Sequence, residues 1–283
     1  MSVSIKIKTS ETIDVNVLFT VLKTFYEDII IDDTEPFLFY RNGISTRYIE
    51  FDKTDENDAY YVRKVILFSK EDCDLYLRTI ALIQAMSNGI VLNEDDEEIN
   101  VESAGIQSWI FDSIYSEYNS LKILIEADKE TELCLFGPIR SFYFGKRILD
   151  KLKTHSKHQK DQYDYLIELF RKSQYGLPEN ADYPNIMQIS KEHSETHEPI
   201  KLLLLSNSNE ILVGATVDYY IINTNAGEDE ELLVIKRNDI HKIAPQKWWL
   251  FDDKQYVAPI ISTNEWNKFI EDAQPYRISL DDL

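Results

Sequence analysis

Val3, Ile5 and Ile7 alternate with Ser4, Lys6 and Lys8 at the start of the chain. That period of two sets one row of side chains on a core face and predicts a half-buried strand. The period then changes. Val15, Leu18, Val21, Leu22 and Phe25 recur at helical spacing behind Asp14, whose carboxylate is suited to cap the first turn of a helix. Next comes "EPFLFYRNGISTRYIEF", in which Asn42-Gly43 separates two runs of β-formers. Both residues tolerate positive φ, so a hairpin is expected. A further strand is expected over 60–68. Ser69 with Asp72 three residues on resembles a capping box, with Asp in place of the usual Glu, ahead of a helix over 70–86. Leu75, Leu77, Ile80, Leu82 and Ile83 make much of that helix apolar, Asn88-Gly89 ends it, and "GIVL" adds a short strand. The order β-α-β-β-β-α-β is that of an α+β fold with two helices on one face of a mainly antiparallel sheet.

"NEDDEEIN" at 93–100 is acidic and lacks turn glycines, which makes it the best candidate boundary. The expected organisation is an α+β domain over 1–95 and a second, larger α+β domain over 101–283. The second opens with a helix over 106–118 that turns Trp109, Ile110, Ile114 and Tyr118 inward. "LKILIEA" and "TELCLFG" read as two strands around an "ADKE" turn. Helices are expected over 146–153 and 160–174, the latter stopped by Gly176 and Pro178. Residues 177–199 are weakly patterned and read as a surface loop. "IKLLLL", "ILVGATVDYYIIN" and "ELLVIKR" make the C-terminal part β-rich, 238–249 have no clear period, and a last helix is capped by Thr263 or Asn264.

Composition narrows the function classes. The chain has 283 residues, 43% hydrophobic and 12% aromatic, which is a folding composition. Its net charge of -20 opposes phosphate backbones and anionic membranes, so nucleic acid and membrane partners are not expected. The same charge attracts a basic protein and speeds the encounter. Cys73 and Cys134 are too few for a disulfide framework, and the N-terminus lacks the continuous apolar stretch of a signal peptide. The expected location is the cytoplasm.

The candidate chemistry is sparse. "CLFGPIRSFYFGKR" at 134–147 offers Gly137 and Gly145 for close backbone approach, and Arg140, Lys146 and Arg147 for an anion. Its spacing is G-x7-G-K-R, whereas a phosphate-binding loop needs G-x4-G-K-[ST] with a hydroxyl for Mg²⁺. Phe136, Phe142 and Phe144 alternate as a buried strand face would, so a strand–turn–strand feeding a helix is the preferred reading. His193 and His197 form the pair nearest to metal-ligand spacing, but without an HExxH arrangement or an apolar stripe they read as a solvated loop. His155 and His158 stand among lysines. Cys134 lies in an apolar strand and reads as a buried structural thiol, and Cys73 falls in the first turn of a helix amid acids. No nucleophile elbow, resident metal site or cofactor motif emerges, and no catalytic residue is assigned.

"NGISTRYIEFD" (42–52), "YYVRKVILFSKEDCDLYLRTIALI" (60–83) and "LFGPIRSFYFGKRIL" (135–149) together resemble a bacterial family known only as a domain of unknown function. The resemblance implies a bacterial origin and a unit spanning the whole chain, and it brings no activity or catalytic residues. The expectation is a non-enzymatic cytoplasmic protein whose acidic surface engages a basic protein, an immunity-type inhibitor of a toxin being its most specific form. The rival is an enzyme or small-ligand binder that holds an anionic group through Arg140, Lys146 and Arg147.

Overall fold

Alternation at the N-terminus produces strand β1 (Ser2–Lys8), and the Asp14 carboxylate accepts the N–H groups of Asn16 and Val17 to start helix α1 (Val15–Phe25). The computed structural model describes residues 2–9, 12–32, 36–53, 59–128, 130–176, 186–189, 199–214, 216–224 and 232–279. They divide into two compact units, Met1–Gly176 and Leu177–Leu283, and the segment 93–100 lies within the first. The architecture is α+β, with mainly antiparallel sheets in both units.

In the first unit α1 is followed by β2 (Ile29–Asp32), β3 (Phe37–Arg41), β4 (Ile49–Lys53) and β5 (Ala59–Val65). Helix α2 (Lys70–Ser87) and strand β6 (Ile90–Leu92) complete the layer. The sheet order is β2-β3-β4-β5-β1-β6, with every neighbouring pair antiparallel. Four strands stand between α1 and α2 where the sequence pattern showed three. The missed one, β2, is a short apolar run, "IIID", that carries no alternation to read. Ile5, Ile7, Phe39, Phe51, Tyr60 and Val62 are buried together on one face. There Phe19 of α1 meets Phe37 and Phe39 edge-on at ring distances of 6.0 and 6.1 Å, and Phe51 stacks on Tyr60 at 5.2 Å. Both halves of the Ser69–Asp72 capping box are formed, and Asn88 ends α2 in the left-handed conformation.

Helix α3 (Ala104–Ala127) has 24 residues and extends well beyond the expected 106–118, because "LKILIEA" continues it instead of forming a strand. Its core stripe, Ile110, Ile114, Tyr118, Leu121 and Ile125, keeps helical spacing through that segment, and this tertiary stripe overrides the strand propensity of its isoleucines. Trp109, expected inward, lies off the stripe and is 49% exposed. The hairpin β7 (Leu133–Phe136) and β8 (Ser141–Phe144) then leads into α4 (Lys146–His155) and α5 (Gln159–Tyr175). Phe142 and Phe144 are buried as expected, whereas Phe136 and Cys134 point outward: both sit on the exposed alternate positions of β7.

The second unit holds β9 (Ile186–Ile189), β10 (Ile200–Leu205), β11 (Ile211–Val213), β12 (Tyr219–Ile222) and β13 (Leu233–Lys236). After them come α6 (Ile240–Ile243), β14 (Trp249–Leu250), β15 (Tyr256–Ala258), α7 (Thr263–Ala273) and β16 (Arg277–Ile278). One sheet runs β16-β13-β12-β10-β9 with β10 and β12 parallel, and a smaller one runs β11-β15-β14. The expected cap of α7 shifts by one residue. Ser262, reciprocated by Glu265, forms the capping box, and the buried Phe269 packs against both Trp248 and Trp266, at ring distances of 5.2 and 5.1 Å. No described helix is long and apolar enough to cross a membrane.

Candidate functional site

The acidic run after β6 folds into a tight turn. Asn93 Oδ1 accepts the N–H groups of Asp95 and Glu97 at 3.0 and 2.9 Å, Asp96 takes a positive φ of 58°, and Ile99 N–H returns to Val91 O at 2.9 Å. This turn places Glu94 against β1, where its carboxylate accepts Ser4 N–H at 3.0 Å, and Asp96 4.0 Å from Lys6. Across from Glu94 stands one face of α3: Trp109, Asp112, Ser113, Ser116, Glu117 and Ser120, at helical steps of three and four. Together with Val3 they enclose a groove of about 510 Å³, and none of its lining residues among those described is cationic. A second hollow, on the outer face of the sheet, shares Glu94 with the groove, and a third shares Ser4 and Tyr61 with the second. Across the three, the carboxylates are Glu50, Asp52, Glu94, Asp96, Asp112 and Glu117. The cations are Lys6 and Arg63, which lies 3.5 Å from Glu50.

The floor of the groove is unusual for a protein interior. Lys64 follows the inward alternation of Tyr60 and Val62, is fully buried, and donates its ammonium to Glu117 Oε1. Glu117 Oε2 accepts the N–H of Leu67 at 3.2 Å. Leu67 adopts φ 61°, a left-handed conformation that costs a bulky residue about 1–3 kcal/mol. Its N–H bond to Glu117 and the bond from Thr46 Oγ1 to its carbonyl, at 3.3 Å, hold it there. Tyr163 of α5 donates its hydroxyl to Phe68 O, so the strained corner is tied to a second helix.

Beside it, Asp72 Oδ2 accepts Thr46 N, Thr46 Oγ1 and Ser69 N at 3.1, 2.8 and 3.0 Å, while Oδ1 is buried without a protein partner. Burial outweighs these bonds and raises the Asp72 pKa above the usual carboxylate value. Arg47 is 6% exposed, with Nε and Nη1 buried and lacking hydrogen bonds; its guanidinium lies 6.0 Å from the Phe170 ring centroid. Burial lowers its pKa to about 10, against the opposing fields of Tyr48, Asp72, Cys134 and Glu117. Among the described residues, two cations and two acids are thus buried in one unit. The sequence carries a signal for them, since Lys64 interrupts an apolar alternation and Glu117 an apolar helical stripe.

The stretch at 134–147 is a β-hairpin. Gly137 N–H closes its turn on Arg140 O at 3.1 Å. Gln174 of α5 clamps the turn, its Oε1 accepting the N–H groups of Ile139 and Arg140, both at 3.0 Å, and its Nε2 donating to Arg140 O at 3.1 Å. A Cβ on Gly137 would stand 2.4 Å from Gln174 Oε1, so glycine is needed there for this packing. Gly145 is the N-cap of α4, and Lys146 in its first turn is paired with Asp150 one turn later. Arg140 and Arg147 both have interactions within the protein. His193 and His197 lie outside the described residues, and His241 Nδ1 is 3.0 Å from Tyr256 Oη. Cys73 is buried and its thiol pKa is pushed up to about 12 by desolvation, so it is not poised as a thiolate. Sequence reasoning missed the groove. Its residues come from β1, the turn after β6 and α3; of them, sequence reasoning singles out Val3 and Trp109, both as core, and Glu94 as part of an acidic boundary segment.

Neither the curated proteins nor the solved structures contain a match to the chain. Among family models, one described as a domain of unknown function, DUF4299, matches residues 2–175. The matched segment ends at the last helix of the first compact unit, where the resemblance of the motifs at 42–52, 60–83 and 135–149 had implied a unit spanning the whole chain. It contains the groove, the buried charges and the 134–147 hairpin. Over that segment the chain belongs to the DUF4299 family, a domain of unknown function.

Proposed function

We propose that the protein is a non-enzymatic binding protein of the bacterial cytoplasm whose acidic face engages a basic protein, with an immunity-type inhibitor of a toxin as the most specific form of this reading. The observation that supports it best is the run of three adjoining hollows along β4, β5, β1 and α3, lined by six carboxylates and two cations. Such a surface focuses field towards a cationic partner, and charge complementarity speeds and orients the encounter. Tagged capture from native lysate at about 50 mM and about 500 mM salt tests it, since these bracket screening lengths of roughly 14 and 4 Å. A basic protein retained stoichiometrically at low salt and weakened at high salt is expected. Retention of no protein, with a small anion co-purifying and raising the melting temperature, would overturn the reading.

A second reading is a ligand with an anionic group at the 134–147 hairpin. It is favoured by one observation: residues 140–172 carry nine Lys and Arg against four Asp and Glu, in a chain that is otherwise acidic. Against it, Lys146, Lys153 and Arg171 already pair with Asp150, Glu126 and Glu71. Replacing Arg140 and Lys146 together separates the two readings, because it removes anion stabilisation in this one and leaves partner capture nearly unchanged in the first.

A further inference from the structure

The groove between α3 and the turn after β6 has a composition that the rest of the acidic face lacks. Its aromatic residue, Trp109, is 49% exposed on α3, where Ile123 and Leu124 further along the helix are exposed as well, while residues 110, 114, 118 and 121 are buried; of these exposed residues Trp109 is the one that lines the groove. An indole left half in water forgoes the gain from burying it, and a partner's side chain laid on the ring would recover that gain. One turn further along α3 stands Asp112, exposed, with its Oδ2 accepting the Ser108 hydroxyl of the same helix at 3.1 Å, and Glu94 faces them from across the groove. Glu117 is different: its two oxygens are committed to Lys64 and to Leu67 N–H. The floor is therefore neutralised from below, and the negative charge facing solvent is that of Asp112 and Glu94. Ser113, Ser116 and Ser120 add hydroxyl acceptors along the same face.

From this arrangement we infer that the groove is a socket for a single arginine side chain of the basic partner, an inference that rests on the binding-protein reading above. The chemistry selects arginine on three counts. Trp offers the strongest cation–π face of the aromatic side chains. A guanidinium stacks flat on such a ring and is less strongly hydrated than an ammonium, so it gives up less on entry. Its fork of donors reaches carboxylate and hydroxyl acceptors on both walls at once, which the compact ammonium of lysine does not. A volume of about 510 Å³ exceeds what one side chain fills, and leaves room for the partner backbone at the mouth.

The test uses the full chain labelled with 5-fluorotryptophan and observed by fluorine NMR, the Trp109 signal being assigned by its loss in Trp109→Phe. The probes are two blocked hexapeptides that differ only in carrying three arginines or three lysines. The expected result is a shift of the Trp109 signal by the arginine peptide, which binds several-fold more tightly than the lysine peptide. Trp109→Ala weakens binding roughly ten-fold, the effect of losing a partly desolvated cation–π contact. Asp112→Asn, an exposed and nearly isosteric change, weakens it by a similar factor while leaving the fold intact. Equal binding of the two peptides, indifferent to both substitutions, would overturn the arginine socket and leave a diffuse acidic surface standing. Lysate capture that stays intact in Trp109→Ala would do the same. If capture retains no partner but the arginine peptide still binds through Trp109, the socket stands and the broader reading falls. A chain that sediments as a dimer by itself, and as a monomer after Trp109→Ala, would show a second copy in the groove and overturn the inference.

Discussion

Lys64 and Glu117 concentrate the energetics of the first unit in two side chains. Each ion on its own is costly inside a protein, and the pair is tolerable because Glu117 satisfies both the ammonium and the Leu67 N–H. Lys64→Met leaves the carboxylate buried and unpaired and is expected to cost about 3–5 kcal/mol, read from the urea midpoint. Glu117→Leu is expected to cost a similar amount. The double substitution should cost clearly less than the sum, because the only group left orphaned is the Leu67 N–H, worth about 1–3 kcal/mol. Additive losses would show that the two ions do not stabilise one another. The same scale explains the two cysteines. Cys73 sits in the first turn of α2, where the helix dipole favours a thiolate, yet complete burial decides the outcome and raises its pKa. Cys134 is reversed in the other sense: an apolar neighbourhood in sequence suggested burial, and its place on β7 leaves it exposed.

At the scale of elements, local signals located helices well and strands less well. The capping box at Ser69, the Asp14 cap and the Asn88 stop all lie within a few residues of the turns that they define, so their chemistry is readable without the fold. The β7–β8 hairpin is legible for the same reason, but what holds it is not. Its turn is anchored by Gln174, more than thirty residues away and 1% exposed. Gly137→Ala is therefore expected to displace the Gln174 amide and break three bonds from it to the turn, with a loss of about 1–3 kcal/mol in chemical denaturation. An unchanged midpoint would mean that Gln174 moves freely and that the clamp contributes nothing. The helix α3 teaches the converse. Its last seven residues, "LKILIEA", read as a strand in sequence on the strength of two isoleucines and two leucines, but burial of Leu121 and Ile125 in the same stripe as Ile110 selects the helix.

For the whole molecule, two separate observations meet near residue 176: the compact unit ends at Gly176 and the family match at residue 175. A fragment of residues 1–176 is expected to fold by itself and to unfold in a single cooperative urea transition by circular dichroism. A broad transition with dye binding to exposed apolar surface would show that the unit depends on the remainder of the chain. The net charge of -20 also resolves into parts that composition cannot show. Acids line the outer face of the sheet, while cations gather on the segment 140–172, where Lys153 pairs with Glu126 of α3 and Arg171 with Glu71 of α2.

The sequence by itself determined the α+β class, most helices and their caps, the central hairpin and the identity of 134–147 as a turn between strands. These follow from periodicity and from side chains acting on backbone a few residues away, which are local quantities. It also carried an unread hint of the buried ions, in a lysine and a glutamate standing where apolar residues belong. Only the tertiary structure decided that these two ions meet, that residues 93–98 form a turn against β1, and that Trp109 faces solvent with Glu94 across from it. Those facts depend on which surfaces of distant elements come to lie against each other. That is set by the summed packing of the core and has no signature in any short window of the chain.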